Sequence, residues 1–452
     1  MKGETPRDMA LKVLEGLSHR ASFSARALDE LFQSNPRLNE RDRAFINQLV
    51  QGVVRWRIRL DWIIGQAADF PLKRLTPRVL NILRLALFQV FFLDRVPESA
   101  AVNEAVKQTK QGQGRHVVSF VNGILRSICR QKEQLRFPHR GEDPVTYLAL
   151  FYSYPEWLVK KWLQEWGPDV TEALLSAGNQ IPTLTIRTNT LRLERSELLR
   201  RLGEEGLKGK PTPYSPAGII LEGFRGRLDH LRSFREGLFQ VQDEAAQITT
   251  HLLSPQPGET ILDVCAGVGG KSTHLAELMG DRGRIVALDI NLKRLISLGR
   301  ATARLGIKGI SPVVGDASRS PFSLFSDQFD GIMVDAPCSG LGVISRRPDI
   351  KWNKSGEDVA RLAQLQQAIL VGAASLLRDG GRMLYVTCTI SRDENDGTVE
   401  ALLSHRRDII LEDMRKCAPA WGRDLMDDQG LMRTFPYRHH MDGFFAALFR
   451  KK

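Results

Sequence analysis

Apolar residues recur at helical spacing through residues 1–140. Met9, Val13, Leu14 and Leu17 share one stripe, as do Phe45, Leu49, Val53 and Trp56, and then Leu80, Leu83 and Leu87. Ala101–Lys110 and Ser119–Gln131 continue the rhythm. Asn35-Pro36, Thr76-Pro77, Val96-Pro97 and Gln111-Gly112-Gln113-Gly114 interrupt it, as linkers between bundled helices do. Residues 145–235 mix periods. Tyr154-Pro155-Glu156-Trp157-Leu158 opens a helix whose Trp162 and Trp166 read as core, Thr183–Arg187 alternates like a strand, and Gly206–Gly218 reads as turns. From residue 236 to 452 apolar runs alternate with amphipathic stretches. Strands are predicted at Thr260–Val264, Arg284–Asp289, Gly309–Val314, Phe329–Val334 and Arg382–Thr387. Helices are predicted at Lys271–Met279, Leu292–Leu305, Asp358–Leu377 and Asp393–Ser404, and Phe444–Phe449 supplies a last, antiparallel strand. The expected fold class is α/β: a doubly wound sheet domain (236–452) preceded by an all-α domain (1–140) and a small α+β subdomain (145–235).

Composition changes this picture little, and charge changes it more. Of 452 residues, 42% are hydrophobic and 26% charged, which is ordinary for a globular protein. No apolar run approaches the roughly 20 residues of a spanning helix, and the N-terminus has no signal-like stretch, so a cytoplasmic protein without membrane contact is expected. The cysteines Cys129, Cys265, Cys338, Cys388 and Cys417 are scattered and odd in number, which indicates neither a disulfide framework nor a metal site. Residues 1–140 hold 24 Lys and Arg against 13 Asp and Glu, whereas the remainder is nearly balanced within a total of +12. A polyanion would dock on the N-terminal domain first, and Arg41, Arg43, Arg55, Arg57 and Arg59 are candidate phosphate contacts.

A doubly wound sheet binds ligands at the carboxyl ends of its strands. The first strand runs into Cys265-Ala266-Gly267-Val268-Gly269-Gly270-Lys271-Ser272. A triphosphate loop would need glycine at position 265, where cysteine stands, and a dinucleotide fingerprint would need glycine at Ser272. Acidic residues follow the next strands: Asp289, suited to ribose hydroxyls, Asp316, suited to an adenine amine, and Asp335. A single strand-end aspartate is usually a turn residue; three in succession point to the cofactor cleft of a methyltransferase.

The fourth and fifth strands end in Asp335-Ala336-Pro337-Cys338 and Thr387-Cys388-Thr389. Strands that neighbour one another would bring both thiols over one substrate base. Methylation of an amine needs no thiol, because the nitrogen lone pair attacks directly. Carbon 5 of a pyrimidine is too weak a nucleophile until a thiolate adds at carbon 6 and converts the ring to an enamine. Asp335 would then hold the exocyclic amine and the protonated ring nitrogen. Proximity alone leaves open which thiol attacks.

Asp335-Ala336-Pro337-Cys338, Thr387-Cys388-Thr389 and Gly269-Gly270-Lys271 resemble the RNA 5-methylcytosine methyltransferases. In the N-terminal domain Leu38–Phe45, Asn103–Val106 and Phe120–Arg126 resemble NusB-type RNA-binding domains. Together with Gln242–Ala246, Arg346–Trp352 and Asp442–Phe445 they make nearly the whole chain similar to the bacterial RsmB/Sun family. That resemblance implies an S-adenosylmethionine-dependent enzyme, expected as a monomer, that methylates carbon 5 of a cytidine in small-subunit ribosomal RNA. It implies Cys388 as nucleophile, Cys338 as an aid to product release, and Asp335 as a third catalytic group. It places the cofactor on Cys265, Ala266, Gly267, Val268, Gly269, Gly270, Lys271, Asp289, Asp316 and Asp335, and RNA on Arg346, Arg347, Asp349 and Lys351. The small α+β subdomain is expected to bind RNA as well. Gly267-Val268 depart from the family's Ala-Pro, which loosens the loop by about 1 kcal/mol. That departure is the only support for the rival reading, an RNA-binding adaptor with an inactive methyltransferase domain.

Overall fold

The computed structural model describes residues 4–19, 23–224, 226–319 and 328–452. The chain divides into two compact units, Met1–Gln180 with Ile344–Asn353, and Ile181–Val343 with Lys354–Lys452.

The first unit is helical. Its helices include Pro6–His19, Ser24–Ser34, Glu40–Arg55, Arg57–Ala67, Pro77–Phe92, Glu98–Lys110 and Arg115–Arg130, followed by Pro144–Tyr152 and Glu156–Ala177. Thr76 caps Pro77–Phe92, the most buried of them, with proline at its first turn where no N–H is needed. Leu83, Leu87, Leu49 and Ile64 are fully buried in one core. Trp162 is buried, as expected, and Gly167-Pro168 kinks its helix.

Three of the arginines expected to meet phosphates serve this interior instead. Arg43 donates to the carbonyls of Leu38 and Asn35 at 3.0 Å each and lies over the Phe32 ring. Arg55 is buried and donates to the Ser345 carbonyl at 2.7 Å. Arg59 lies between the rings of Trp56, Phe92, Phe137 and Phe151 and donates to the Phe151 carbonyl. A guanidinium stacks on rings and satisfies several carbonyls at once, so charge counted along a sequence overstates charge offered to a ligand. Arg41 and Arg57 are exposed.

Among its described residues the second unit holds two sheets. In the smaller, β1 (Leu184–Thr188), β2 (Lys208–Pro211), β3 (Gly218–Glu222) and β4 (Phe239–Val241) pair antiparallel in the order β2-β3-β1-β4. The stretch expected to be turns therefore contains a strand, β2, at the sheet edge. A Lys-Gly-Lys-Pro segment can sit there because an edge tolerates proline and exposed lysines.

The larger sheet contains β5 (Thr260–Val264), β6 (Arg284–Asp289), β7 (Ile310–Val314), β8 (Phe329–Asp335), β9 (Leu377–Thr387), β10 (Ile409–Glu412), β11 (Met432–Arg433) and β12 (Phe445–Lys451). Its order is β10-β12-β9-β8-β5-β6-β7, with β11 paired to β12. β5 to β9 run parallel, while β12 is antiparallel to both β9 and β10. Ile261, Leu262, Ile332, Met333, Leu384 and Tyr385 are fully buried, as strands covered on both faces must be. β8 and β9 are neighbours, and the carboxyl ends of β5, β6, β8 and β9 open on one edge of the sheet. Among the described residues no helix is long and apolar enough to cross a membrane.

Candidate active site

The glycine loop leaves β5 with Cys265 in a left-handed conformation (φ 65°), followed by Gly267 (φ 60°) and Gly269 (φ 85°). A side chain at Gly269 would collide with Leu298, so the turn into helix Gly270–Leu278 requires glycine. Arg187 of β1, wholly buried, fixes the base of that helix. It binds Glu277 through two bonds of 2.7 and 2.8 Å, the Gly270 carbonyl at 2.8 Å and the Thr273 hydroxyl at 3.0 Å. Below the loop, Asp263 is fully buried and accepts a hydrogen bond from Ser272. Burial pushes its carboxyl up to about 7, against the opposing effect of that bond. Burial and the nearby carboxylates of Asp335, Asp263 and Asp289 push the Cys265 thiol up.

Asp289, at the end of β6, accepts the Gly267 N–H at 2.9 Å and the Asn291 N–H at 2.7 Å, one on each oxygen. Each oxygen keeps a second lone pair for a ligand hydroxyl. Asp316 holds its own turn, accepting from Ser318 N–H at 3.0 Å and hydroxyl at 2.7 Å, and those bonds keep its carboxyl below the usual range. Around these groups Val268, Ile290 and Val314 are apolar and more than half exposed. Carboxylates beside uncovered apolar side chains, over a loop where the backbone can be approached closely, fit a nucleoside bearing a charged sulfur. The donor set of S-adenosylmethionine is thus matched by residues present here.

At the end of β8 the Asp335 carboxylate takes the Lys271 ammonium at 2.8 Å. Burial opposes the charge on Lys271, but Asp335 more than compensates and its pKa lies above the ordinary lysine value. This lysine neutralises a carboxylate, in keeping with the failed triphosphate motif. Cys338 Sγ and Cys388 Sγ lie 3.3 Å apart. The bond to Cys388, burial and the Glu394 charge together push the Cys338 thiol well above its ordinary value. Gly342 donates to the Cys388 carbonyl at 3.0 Å and accepts the Gly443 N–H at 2.9 Å. A side chain at Gly342 would strike the Gly443 carbonyl, and one at Gly443 would crowd Gly342 and Ile390, so this close approach needs glycine on both sides.

The sheet therefore brings together Cys338, Cys388, Asp335 and Lys271, with Asp289 and the glycine loop beside them. Asp349 and Lys351 belong to the helical unit and are almost wholly buried. Asp349 accepts the Ser24 N–H at 3.0 Å and hydroxyl at 2.6 Å. Lys351 donates to the carbonyls of Arg55 and Ser153 and to Asn179 at 2.7 Å. The three bonds use every N–H of the Lys351 ammonium, which was expected to meet RNA. Arg346 is half-buried and Arg347 exposed. Sequence reasoning missed the buried polar group behind the thiols: Glu394, Gln366, Ser339 and Thr389. Its only signal was Asp393-Glu394-Asn395 just after Thr-Cys-Thr, which reads as an ordinary helix start. Among the described residues no cluster could hold a metal ion.

The parallel sheet closed by β12, the glycine loop and the successive strand-end aspartates define a Rossmann-like methyltransferase. The family model "16S rRNA methyltransferase RsmB/F" matches residues 250–450, the NusB family residues 4–130, and a ferredoxin-like domain of RsmF/B-like methyltransferases residues 154–226. The "Probable ribosomal RNA small subunit methyltransferase B" of Synechocystis is 38% identical over 98% of this chain and 99% of its own. "Ribosomal RNA small subunit methyltransferase B" of Escherichia coli is 33% identical over 99% and 98%. The crystal structure of PH0851 superposes with a TM-score of 0.82 at 27% identity, covering 99% of each chain. The chain belongs to the RsmB/F methyltransferase family, with a NusB-like helical domain and a ferredoxin-like subdomain before the methyltransferase domain.

Proposed function

We propose that this protein transfers a methyl group to carbon 5 of a cytidine in small-subunit ribosomal RNA through a covalent bond between Cys388 and the base. The observation that carries the reading is the 3.3 Å approach of two thiols at the ends of adjacent strands, beside Asp335. The relatives' names support ribosomal RNA as the substrate.

The Cys265–Lys271 loop, Asp289, Asp316 and Asp335 would hold S-adenosylmethionine, which would supply an electrophilic methyl group for carbon 5. Cys388 gives its proton to solvent and adds as the thiolate to carbon 6, forming a carbon–sulfur bond and moving the ring's double-bond electrons to the ring nitrogen, which takes a proton from solvent. Asp335 accepts hydrogen bonds from the exocyclic amine and from that nitrogen as it is protonated, which steadies the adduct. After methylation the carbon 5 proton leaves to solvent, the electrons of that bond restore the ring double bond, the carbon–sulfur bond breaks to release the thiolate, and the ring nitrogen returns its proton to solvent. Cys338, held neutral against Cys388, donates a hydrogen bond to the departing thiolate. The surplus positive charge of residues 1–140 supports RNA docking on the helical domain, through groups such as Arg41 that the interior leaves exposed.

The test is tritium release. Incubating the enzyme with S-adenosylmethionine and small-subunit RNA carrying [5-³H]cytidine releases tritium to water in step with methyl incorporation. Methyl incorporation without tritium release places the methyl elsewhere and overturns the reading.

A further inference from the structure

We propose that Glu394 is a positioning residue that clamps the two cysteine-bearing loops at their working separation. It rests on the two-thiol reading given above and names the group that sets its geometry.

Glu394 follows β9 by a short loop, is wholly buried, and binds the residue immediately after each cysteine. Its Oε1 accepts the Ser339 N–H at 2.7 Å, and its Oε2 accepts the hydroxyls of Ser339 and, at 3.0 Å, of Thr389. Those two hydroxyls also meet each other at 2.8 Å. One carboxylate thus bridges the loop of Cys338 and the loop of Cys388. A third element braces it: Gln366, on helix Gly356–Ala374, donates from one nitrogen to Glu394 Oε1 and to the Pro337 carbonyl, both at 3.0 Å. Tyr385 of β9 donates to the Glu394 carbonyl at 2.6 Å and lies 3.0 Å from Gln366 Oε1, which ties the clamp to the sheet. Nothing in this arrangement points toward a substrate. A buried carboxylate is costly unless its bonds are all made, and here four donors converge on it from both cysteine loops and the helix.

The function of such a clamp is distance. Two thiols act on one base only while their separation stays near contact, and a displacement of about 1 Å costs on the order of 100-fold in rate. Glutamate spans the gap; aspartate keeps the charge but is one methylene short. Glutamine keeps the span, with its oxygen on the Ser339 N–H and its amide facing hydroxyls able to accept.

The experiment compares full-length wild type, Glu394→Gln, Glu394→Asp and Glu394→Ala. Diamide is the probe: it takes one proton and one electron from each of the two thiols, becoming a hydrazine as the disulfide forms. Peptide mapping counts the Cys338–Cys388 link. We expect Glu394→Asp and Glu394→Ala to link about 10-fold more slowly or worse, and Glu394→Gln to stay within about threefold of wild type. kcat for methyl transfer follows the same order while KM for RNA and cofactor moves less than about threefold. Linking at the wild-type rate in Glu394→Asp overturns the proposal, as does failure of Glu394→Gln to rescue. If Glu394→Ala does not fold, Ser339→Ala, which removes one hydroxyl, takes its place with a smaller slowing expected. The cross-link needs no methyl transfer: wild type that methylates no cytosine yet shows this order of linking rates refutes the functional reading and keeps the clamp.

Discussion

At the thiol side of the sheet, between β8 and β9, Ser339, Thr389, Gln366, Glu394 and Asn395 are buried and hydrogen-bonded to one another's loops. At the cofactor side, where β5, β6 and β7 end, the loops carry left-handed backbone and uncovered Val268, Ile290 and Val314. Both regions hang on the same parallel strands. The side proposed to bond the base is densely hydrogen-bonded and buried, and the side proposed to take up the cofactor leaves apolar side chains uncovered. Preorganisation is concentrated where distance decides rate, and openness where a molecule must enter and leave.

The largest effect tests the hydrogen-bonded side. Cys388→Ala is expected to lower methyl transfer on the order of 10⁵-fold, near 7 kcal/mol of barrier, while S-adenosylmethionine binding by calorimetry is unchanged. Cys338→Ala is expected to accumulate an RNA–protein adduct that survives denaturing gels, and the double variant to show none. An adduct in Cys388→Ala would reverse the roles of the two thiols and break the assignment.

The next effect lies at the root of the cofactor side. Arg187→Met leaves Glu277 buried without its partner and is expected to cost about 3–5 kcal/mol in urea denaturation. Arg187→Met with Glu277→Leu should recover most of it, because two well-packed apolar side chains need no compensation. A loss below about 1 kcal/mol in the single variant would mean that helix Gly270–Leu278 is held by packing alone.

Asp263, between that root and the loop, should give stability a slope with pH. Its carboxyl is raised in the folded state to about 7, against an ordinary value near 4 in the unfolded chain. Below about pH 4 both states are protonated and its contribution is fully present. As pH rises toward 7 the unfolded state gives up the proton and the folded state keeps it, so stability is lost, by roughly 2–4 kcal/mol in all. Asp263→Asn, measured by denaturation between pH 5 and 8, is expected to flatten that decline. An equal slope in the variant would assign it to other groups.

The contrast between the two sides was legible in the sequence to very different degrees. Thr260–Val264 and Arg284–Asp289 match observed strands residue for residue, because a strand buried on both faces is an apolar run with sharp ends. The meeting of Cys338 and Cys388 followed from placing β8 beside β9. Ile409–Glu412 was missed: four residues carry no period, and only its pairing with β12 makes it a strand. Arg43, Arg55, Arg59 and Lys351 were misread because a charged side chain looks the same whether solvent or a carbonyl within the protein receives it. Glu394 was invisible for the converse reason, since its partners are brought to it by three separate elements.

The smallest effect is at the tip of the open side. Val268 stands where the family usually has proline, and its side chain is 53% exposed. Among the described residues its N–H makes no hydrogen bond within the protein, so proline would remove none. Proline there removes conformations from the unfolded chain and from the unliganded loop without removing a bond. Val268→Pro is therefore expected to raise stability by about 0.4–1 kcal/mol and to tighten S-adenosylmethionine binding two- to fivefold by calorimetry, with kcat unchanged. Should binding weaken instead, Val268 supplies apolar contact that outweighs loop entropy, and the open side works by covering surface more than by restricting backbone.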